Sequence, residues 1–176
     1  MTNESYKFEI EGTSPVMMHK FNGQDEEKRL KELPHKEQAE YHAYRTDDGD
    51  LALPAMWLRG CLIQGFIEKA PVKEKQRTKR RVSPRIRIEP VMMTLGTKDY
   101  EIDVRSVPSP QTGRGGTRDI CVRPIIKQWK AKGTLVSGLD ESREMRKWLE
   151  YAGEEIGIGS DRIDGYGRFK VTSFTE

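Results

Sequence analysis

The feature that most constrains the fold is a long apolar segment bounded by prolines. It begins at Leu53-Pro54, ends at Pro71, and places apolar residues at helical spacing, namely Met56, Trp57, Cys61, Ile63, Phe66, Ile67 and Ala70. A proline at the first turn and another just past the end are typical of helix boundaries. Gly60 and Gly65 each weaken such a helix by roughly 1 kcal/mol, so we interpret them as points of close packing against a sheet or a ligand. The segment predicts the principal buried helix.

Alternating apolar and polar residues predict strands around this helix. Tyr6, Phe8 and Ile10 alternate with charged residues, which is typical of a half-buried strand. Further strands are predicted at residues 86–91, 100–104, 120–126, 133–136 and 169–174, and an amphipathic helix at 142–155. The order strand, helix, strands, helix, strand predicts an α+β, ferredoxin-like fold, in which two helices cover one face of an antiparallel sheet.

Length and composition favour a single intracellular domain. We predict one domain over residues 1–176, with peripheral insertions near 20–45 and 106–118. Charged residues make up 34% of the chain and hydrophobic residues 35%, so the surface must be densely charged. Cys61 and Cys121 lack metal-ligand spacing and are interpreted as reduced core residues. No apolar run is long enough to span a membrane and no signal pattern is present, so a cytoplasmic location is expected.

The charged residues are segregated along the chain. Acidic residues cluster near positions 25–40 and 140–155, whereas positions 73–87 hold eight basic residues and one acidic residue. Such a basic run attracts phosphates through charge and counterion release, whatever the base. Its candidate phosphate contacts are Lys73, Lys75, Arg77, Lys79, Arg80, Arg81 and Arg85. We expect the run to form an inserted basic loop, and a solvated, flexible loop without a ligand is the alternative interpretation.

Two glycine-rich segments add further arginines. Residues 106–118 contain two prolines and three glycines, which predicts a loop or hairpin tip, and Arg114 and Arg118 there are a candidate phosphate clamp. The C-terminal segment holds Gly157, Gly159, Gly165 and Gly167, with Arg162, Tyr166 and Arg168 between or beside them. Such glycines suit either a phosphate cradle of exposed N–H groups or a tight turn. Its position between a helix and a following strand excludes a Rossmann turn.

Two of these segments resemble the RAMP superfamily, the ferredoxin-like RNA-binding proteins of CRISPR effector complexes. Leu53-Pro54-Ala55-Met56-Trp57-Leu58-Arg59-Gly60-Cys61-Leu62 is similar to the segment that opens their first helix, and residues 156–169 resemble the glycine-rich loop before their last strand. The resemblance implies a backbone-type protein that tracks phosphates, often by polymerising along the strand. It also implies a thumb-like hairpin between core strands, expected here at residues 105–123. The acidic insertion at 24–40 has no counterpart in it.

The second half of the chain also resembles small uncharacterised proteins encoded by phages and other mobile elements. Arg123-Pro124-Ile125-Ile126-Lys127-Gln128-Trp129 and Gly165-Tyr166-Gly167-Arg168-Phe169 carry this likeness. It brings no settled activity with it.

Histidines are the candidate residues for strand cleavage, because some RAMP relatives cut RNA and cleavage needs a group that titrates near neutrality. The chain has His19, His35 and His42, and no pair of them has metal-ligand spacing. Asp161 and Asp164 lie among arginines, which favours local salt bridges over magnesium binding. The sequence therefore predicts no catalytic residue, no metal site and no cofactor.

The prediction is a non-catalytic protein that binds single-stranded RNA or DNA, or an RNA-containing duplex, mainly through backbone phosphates. Trp129, between two lysines, and Tyr166 are expected to stack on bases. The expected partners are further copies of the chain, or other subunits, along the strand. Contacts between neighbouring copies are expected because residues 24–40 and 73–87 carry opposite charge. No membrane partner is expected. The alternatives are a metal-independent endoribonuclease that uses His19 or His42, and a protein-interaction subunit whose basic run faces an acidic partner.

Overall fold

The computed structural model describes residues 3–108, 118–139 and 144–176, which form nine strands and five α-helices. In chain order the strands are β1 (Glu4–Gly12), β2 (Val16–Met17), β3 (Ala52–Pro54), β4 (Ile86–Glu89), β5 (Met92–Thr94), β6 (Glu101–Pro108), β7 (Arg118–Ile126), β8 (Lys130–Ser137) and β9 (Phe169–Thr175). The helices are α1 (Gln24–Leu30), α2 (His35–His42), α3 (Ala55–Lys69), α4 (Lys75–Val82) and α5 (Met145–Tyr151). None of the helices in these ranges has the length and apolar character needed to cross a membrane.

A four-stranded antiparallel sheet in the order β4-β8-β1-β9 forms the core. The alternating pattern predicted for β1 is confirmed, because Tyr6, Phe8 and Ile10 are all buried. Helix α3 connects β1 to β4 and α5 connects β8 to β9, and the two helices meet through Phe66 and Trp148, whose rings stack at 4.2 Å. This order of strands and helices is the ferredoxin-like arrangement, so the predicted fold class is confirmed.

The predicted buried helix is α3, with one face open to solvent. Leu58, Cys61, Leu62 and Phe66 are buried, as the spacing predicts. Met56, by contrast, is 72% exposed, because it lies on the same open face as Gly60 and Gln64. Of the two cysteines, Cys61 is buried as predicted, whereas Cys121 is only half-buried.

A long hairpin is inserted between β4 and β8 of the core. Strands β6 and β7 pair in antiparallel register from Glu101 opposite Ile125 to Pro108 opposite Arg118, and β2 pairs with the other edge of β7. The hairpin occupies the place expected for the thumb. The hairpin tip, residues 109–117, lies outside the described residues, as does Arg114.

The acidic insertion folds as two short helices that pack on this hairpin. Helix α1 ends at Leu30, and Pro34 directly precedes α2. Leu30, Ala39 and His42 are buried, and α2 lies against β7. The insertion is therefore docked on the domain through a few buried side chains.

The basic run is a helix, so the prediction of a basic loop is wrong. Residues 72–74 form a short 3-10 turn and residues 75–82 form α4, which packs against α3. Lysine, glutamine and arginine have good helix propensity. Val82 is fully buried, which ties the end of α4 to the core. The basic side chains are consequently presented on a helical frame.

The turn at Gly167 requires glycine for two reasons. Its φ is +71°, a conformation that costs other residues about 1–3 kcal/mol. In addition, a Cβ there would lie 1.7 Å from the carbonyl oxygen of Ile158. Gly165 has a similar φ of +86°, but no neighbouring atom lies within 4 Å of its Cβ position.

We predict that Gly167→Ala lowers the free energy of unfolding by at least about 3 kcal/mol, because backbone strain adds to a clash that only a chain movement relieves. Gly165→Ala, the matched control, introduces backbone strain without the clash and should lower the free energy of unfolding by about 1 kcal/mol. Urea unfolding of both variants measures the difference. Equal losses of unfolding free energy in the two variants would show that the close approach of residues 158 and 167 does not contribute to the effect.

Candidate nucleic-acid interface

The glycine-rich loop, residues 157–168, is held against the turn between β1 and β2 by its own backbone. The N–H of Ile158 donates to Gly167 (2.9 Å), that of Ser160 to Met17 (3.0 Å) and that of Gly167 to Pro15 (2.8 Å). These N–H groups are consumed within the protein. Of the two alternatives, the tight turn describes these positions, because their N–H groups are not available to a phosphate.

Asp161 joins this loop to the inserted hairpin. It adopts the left-handed conformation (φ 55°), which aspartate tolerates better than most residues. Its two carboxylate oxygens accept hydrogen bonds from Nη1 and Nη2 of Arg123 on β7, at 2.8 and 2.7 Å. Nη1 of Arg105 on β6 lies 3.5 Å from the same carboxylate. One acidic side chain thus holds two arginines from the two hairpin strands.

The Arg123 side chain is almost fully enclosed, since the residue is 4% exposed. Burial lowers the pKa of Arg123, but the hydrogen bonds and charge of Asp161 outweigh burial, and the net direction is upward. Arg123 therefore stays charged and serves to position the hairpin. The sequence prediction of local salt bridges for Asp161 missed this partner, because 38 residues separate the two.

Tyr166 is half-buried and one face of its ring is already occupied. The guanidinium carbon of Arg105 lies 4.7 Å from the ring centroid, and Nη2 of Arg105 donates to the Tyr166 hydroxyl. This cation-π contact connects β6 to the loop a second time. Base stacking on Tyr166 stays a prediction.

An open cleft of about 520 Å³ lies between the glycine-rich loop and α3. Arg162 and Arg168 line it on one side, and Gly60 and Gln64 on the other. Nη1 of Arg168 is buried without a hydrogen-bond partner among the described residues, and an unpaired buried donor is unfavourable. Glu68 and Glu155 also line the cleft and limit its positive charge.

The predicted basic contacts on and around α4 are mostly solvent-exposed. Lys73, Arg77, Lys79, Arg80 and Arg81 are exposed, whereas Lys75 and Arg85 are half-buried. Arg85 donates from Nη1 to the carbonyl oxygen of Arg81 at 2.5 Å, which engages part of its guanidinium. Because α4 packs on α3, the basic helix and the cleft share one supporting element.

Arg118 makes contacts within the hairpin. It is exposed at the start of β7, and its guanidinium donates to the hydroxyl (2.8 Å) and the carbonyl oxygen (2.7 Å) of Ser106 across the hairpin. A role as a phosphate clamp stays a prediction for this residue.

The prediction that Trp129 stacks on bases is wrong, because its side chain is buried. The residue is 3% exposed, its Nε1 donates to the carbonyl oxygen of Ser14 at 2.9 Å, and its ring packs edge-on against Phe169. A Cβ on Gly12 would lie 2.2 Å from this Nε1, so glycine makes room for the indole. The two flanking lysines gave a misleading signal, since they point to solvent while the tryptophan points inward.

His19 and His42 come together beside the hairpin. Their rings stack at 4.3 Å, and Nε2 of His42 lies 3.2 Å from a carboxylate oxygen of Glu27. Burial lowers the pKa of His19, and the neighbouring His42 acts in the same direction. His42 itself is 4% exposed with both ring nitrogens engaged, which leaves it no direct path to a strand. Sequence spacing gave no sign of this cluster, because β2, α1 and α2 supply its parts.

No protein-family model and no curated protein sequence matches this chain. Solved structures do match in fold. A chain of the type III-B Cmr-β complex bound to cognate target RNA aligns with a TM-score of 0.61 at 10% identity over 98% of this chain. Cmr6 from Pyrococcus furiosus aligns with a TM-score of 0.53 at 8% identity over 97% of this chain and 99% of Cmr6. The present chain spans 60% of the length of the Cmr-β chain.

The fold and its insertions define a ferredoxin-like α+β domain with an inserted hairpin and a glycine-rich loop before the last strand. The Cmr-β chain and Cmr6 share this fold, so the fold that the RAMP resemblance implies is confirmed.

We predict that Asp161→Asn lowers the free energy of unfolding by about 2–4 kcal/mol, because it leaves the buried guanidinium of Arg123 without a charged partner. Asparagine tolerates the left-handed backbone, so the variant tests the charge alone. Asp164→Asn, at an exposed position in the same loop, is the control and should change stability by less than about 0.5 kcal/mol. Thermal or urea unfolding reports both. A neutral Asp161→Asn would mean that the ion pair does not hold the hairpin.

Proposed function

We propose that this chain is a non-catalytic, RAMP-type subunit that binds single-stranded RNA or DNA, or an RNA-containing duplex, mainly through backbone phosphates. The observation that carries the proposal is the arrangement around α3. Helix α4, which presents the exposed cations, packs on α3, while Arg162 and Arg168 line the cleft on its open side. A strand that follows α3 can meet both groups of cations.

The cations of α4 are suited to phosphates because little within the protein neutralises them. Among the described residues, Arg77, Lys79 and Arg80 form no ion pair with an acidic side chain. Exposed, unpaired cations on one helix release counterions from a polyanion, and this provides affinity without base specificity. Gly60 on the open face of α3 allows the strand to approach the helix closely.

The comparisons favour RNA as the ligand. The Cmr-β structure with the similar fold contains cognate target RNA. Sequence-independent binding of RNA through its backbone needs only phosphate and ribose contacts, which arginine and lysine supply. The choice of RNA over DNA is part of the proposal, and parallel titrations with both strands decide it.

We also propose that the chain assembles with further subunits or with copies of itself. The acidic helices α1 and α2 and the basic helix α4 carry opposite charge and lie on different parts of the domain. Opposite charges on two surfaces favour head-to-tail contacts between neighbouring copies. Longer strands should therefore bind several copies, and a chain that stays monomeric on strands of every length would contradict this part.

We predict that the triple variant Arg77→Gln, Lys79→Gln and Arg80→Gln binds unstructured RNA more weakly and with less salt dependence. Each lost phosphate contact lowers the slope of log affinity against log salt by about 0.7, so three contacts lower it by about 2. Glutamine keeps the helix propensity of α4. Fluorescence anisotropy at several salt concentrations measures both effects.

The matched control replaces three exposed lysines elsewhere, Lys98, Lys132 and Lys147, by glutamine. It removes the same net charge, so an equal loss of affinity would mean that only the total charge matters. A gel of the same mixtures should show intact strands, and cleavage that His19→Ala abolishes would support the endoribonuclease alternative. If the unaltered protein binds no strand at low salt, the proposal is wrong and protein partners become the leading alternative.

A further inference from the structure

Three side chains with metal-binding groups meet where the acidic insertion docks on the hairpin. His19 follows β2, Glu27 lies in α1 and His42 ends α2. Each offers one donor atom, and the three atoms lie within 4.8 Å of one another. The proposed function makes no use of this cluster.

The hydrogen bonds of His42 leave one ring nitrogen facing a carboxylate. Nδ1 lies 2.6 Å from the carbonyl oxygen of Val122, which can only accept, so Nδ1 carries the proton. Nε2 lies 3.2 Å from Oε2 of Glu27. In the neutral ring, Nε2 is itself an acceptor, and two acceptors that face each other repel. A cation placed between the two atoms would be bound by both of them.

The spacing of these atoms fits a metal ion. Zinc binds imidazole nitrogen at about 2.0–2.1 Å and carboxylate oxygen at about 2.0–2.2 Å, so tetrahedral donors lie about 3.3 Å apart. The distance of 3.2 Å between His42 and Glu27 already meets this requirement. The donor of His19 needs a shift of about 1–1.5 Å to reach the same spacing. His19 is half-buried beside an open pocket, which leaves its side chain room for that shift.

The surroundings of the cluster also resemble those of metal sites. Ligating histidines commonly donate their other N–H to a carbonyl, as His42 does to Val122. The Sγ of Cys121 lies 3.6 Å from Nδ1 of His19 and orients that ring. A pocket of about 150 Å³ opens on the cluster and gives an ion access from solvent. Oε1 of Glu27 accepts from the backbone N–H of Asn22 at 3.1 Å, which steadies the carboxylate.

We propose that His19, Glu27 and His42 bind one divalent transition-metal ion of the zinc class, with the fourth position open to the pocket. Two imidazoles and a carboxylate are the ligands that such ions accept, whereas magnesium and calcium prefer oxygen alone. The ion connects β2, α1 and α2, and through Val122 it is coupled to the hairpin. Its role is to fix the acidic insertion on the domain.

The test is a titration of the chain, free of any histidine tag, with Co²⁺ followed by displacement with Zn²⁺. The expected result is one equivalent of bound ion, visible absorption bands of low-coordinate Co²⁺, and a raised melting temperature with Zn²⁺. Glu27→Gln and His19→Ala should each weaken binding by at least about tenfold, since even loss of an outer-shell partner costs 10–100-fold. His35→Ala, which removes an exposed histidine of α2, should bind as the unaltered chain does.

Two results overturn the proposal. One is the absence of stoichiometric binding in the unaltered chain, which would leave an imidazolium-carboxylate ion pair between His42 and Glu27. The other is unchanged affinity in Glu27→Gln, a variant that keeps the shape of the side chain and its acceptor for Asn22. Because Glu27→Gln preserves these contacts, it tests the proposal even if His19→Ala fails to fold. RNA binding measured on the same variants keeps this test separate from that of the proposed function.

Discussion

The ion pair between Arg123 and Asp161 is the interaction on which the candidate interface depends. The four-stranded sheet is held by apolar packing against α3 and α5, but the hairpin and the glycine-rich loop come from distant parts of the chain. Asp161 holds Arg123 in a nearly enclosed position and also draws in Arg105, whose guanidinium lies over Tyr166. Buried arginine is expensive to leave unpaired. The pair therefore fixes the hairpin against the loop, and with it the place of Arg162 and Arg168.

The fold could be predicted from the sequence because local patterns carried it. The period of β1 and the proline-bounded segment of α3 each depend on neighbouring residues, and their order along the chain admits few topologies. The site depends on long-range contacts. Fifty-six residues separate Arg105 from Asp161, and the histidine cluster draws on three elements. Trp129 shows the same limit, since flanking lysines predict exposure but the gap left by Gly12 admits the indole.

Charge and shape distinguish two regions of the domain. The exposed cations of α4 and the arginines of the loop are arranged around α3, where a polyanion can meet both. The acidic helices α1 and α2 pack on the hairpin through Leu30, Ala39 and His42. A metal ion at His42 would strengthen that docking without touching the cationic region. The proposed strand-binding residues and the residues that attach the insertion thus lie on different elements of the domain.

Photocrosslinking to RNA that carries photoactivatable uridines, followed by mass spectrometry of the attached peptides, would identify the segments of the chain that lie against a bound strand. We expect crosslinks in residues 73–85 and 162–168, the two segments beside α3. Crosslinks confined to α1 and α2, or to the exposed face of the central sheet, would contradict this expectation, as would the absence of any crosslink when the chain is saturated with RNA.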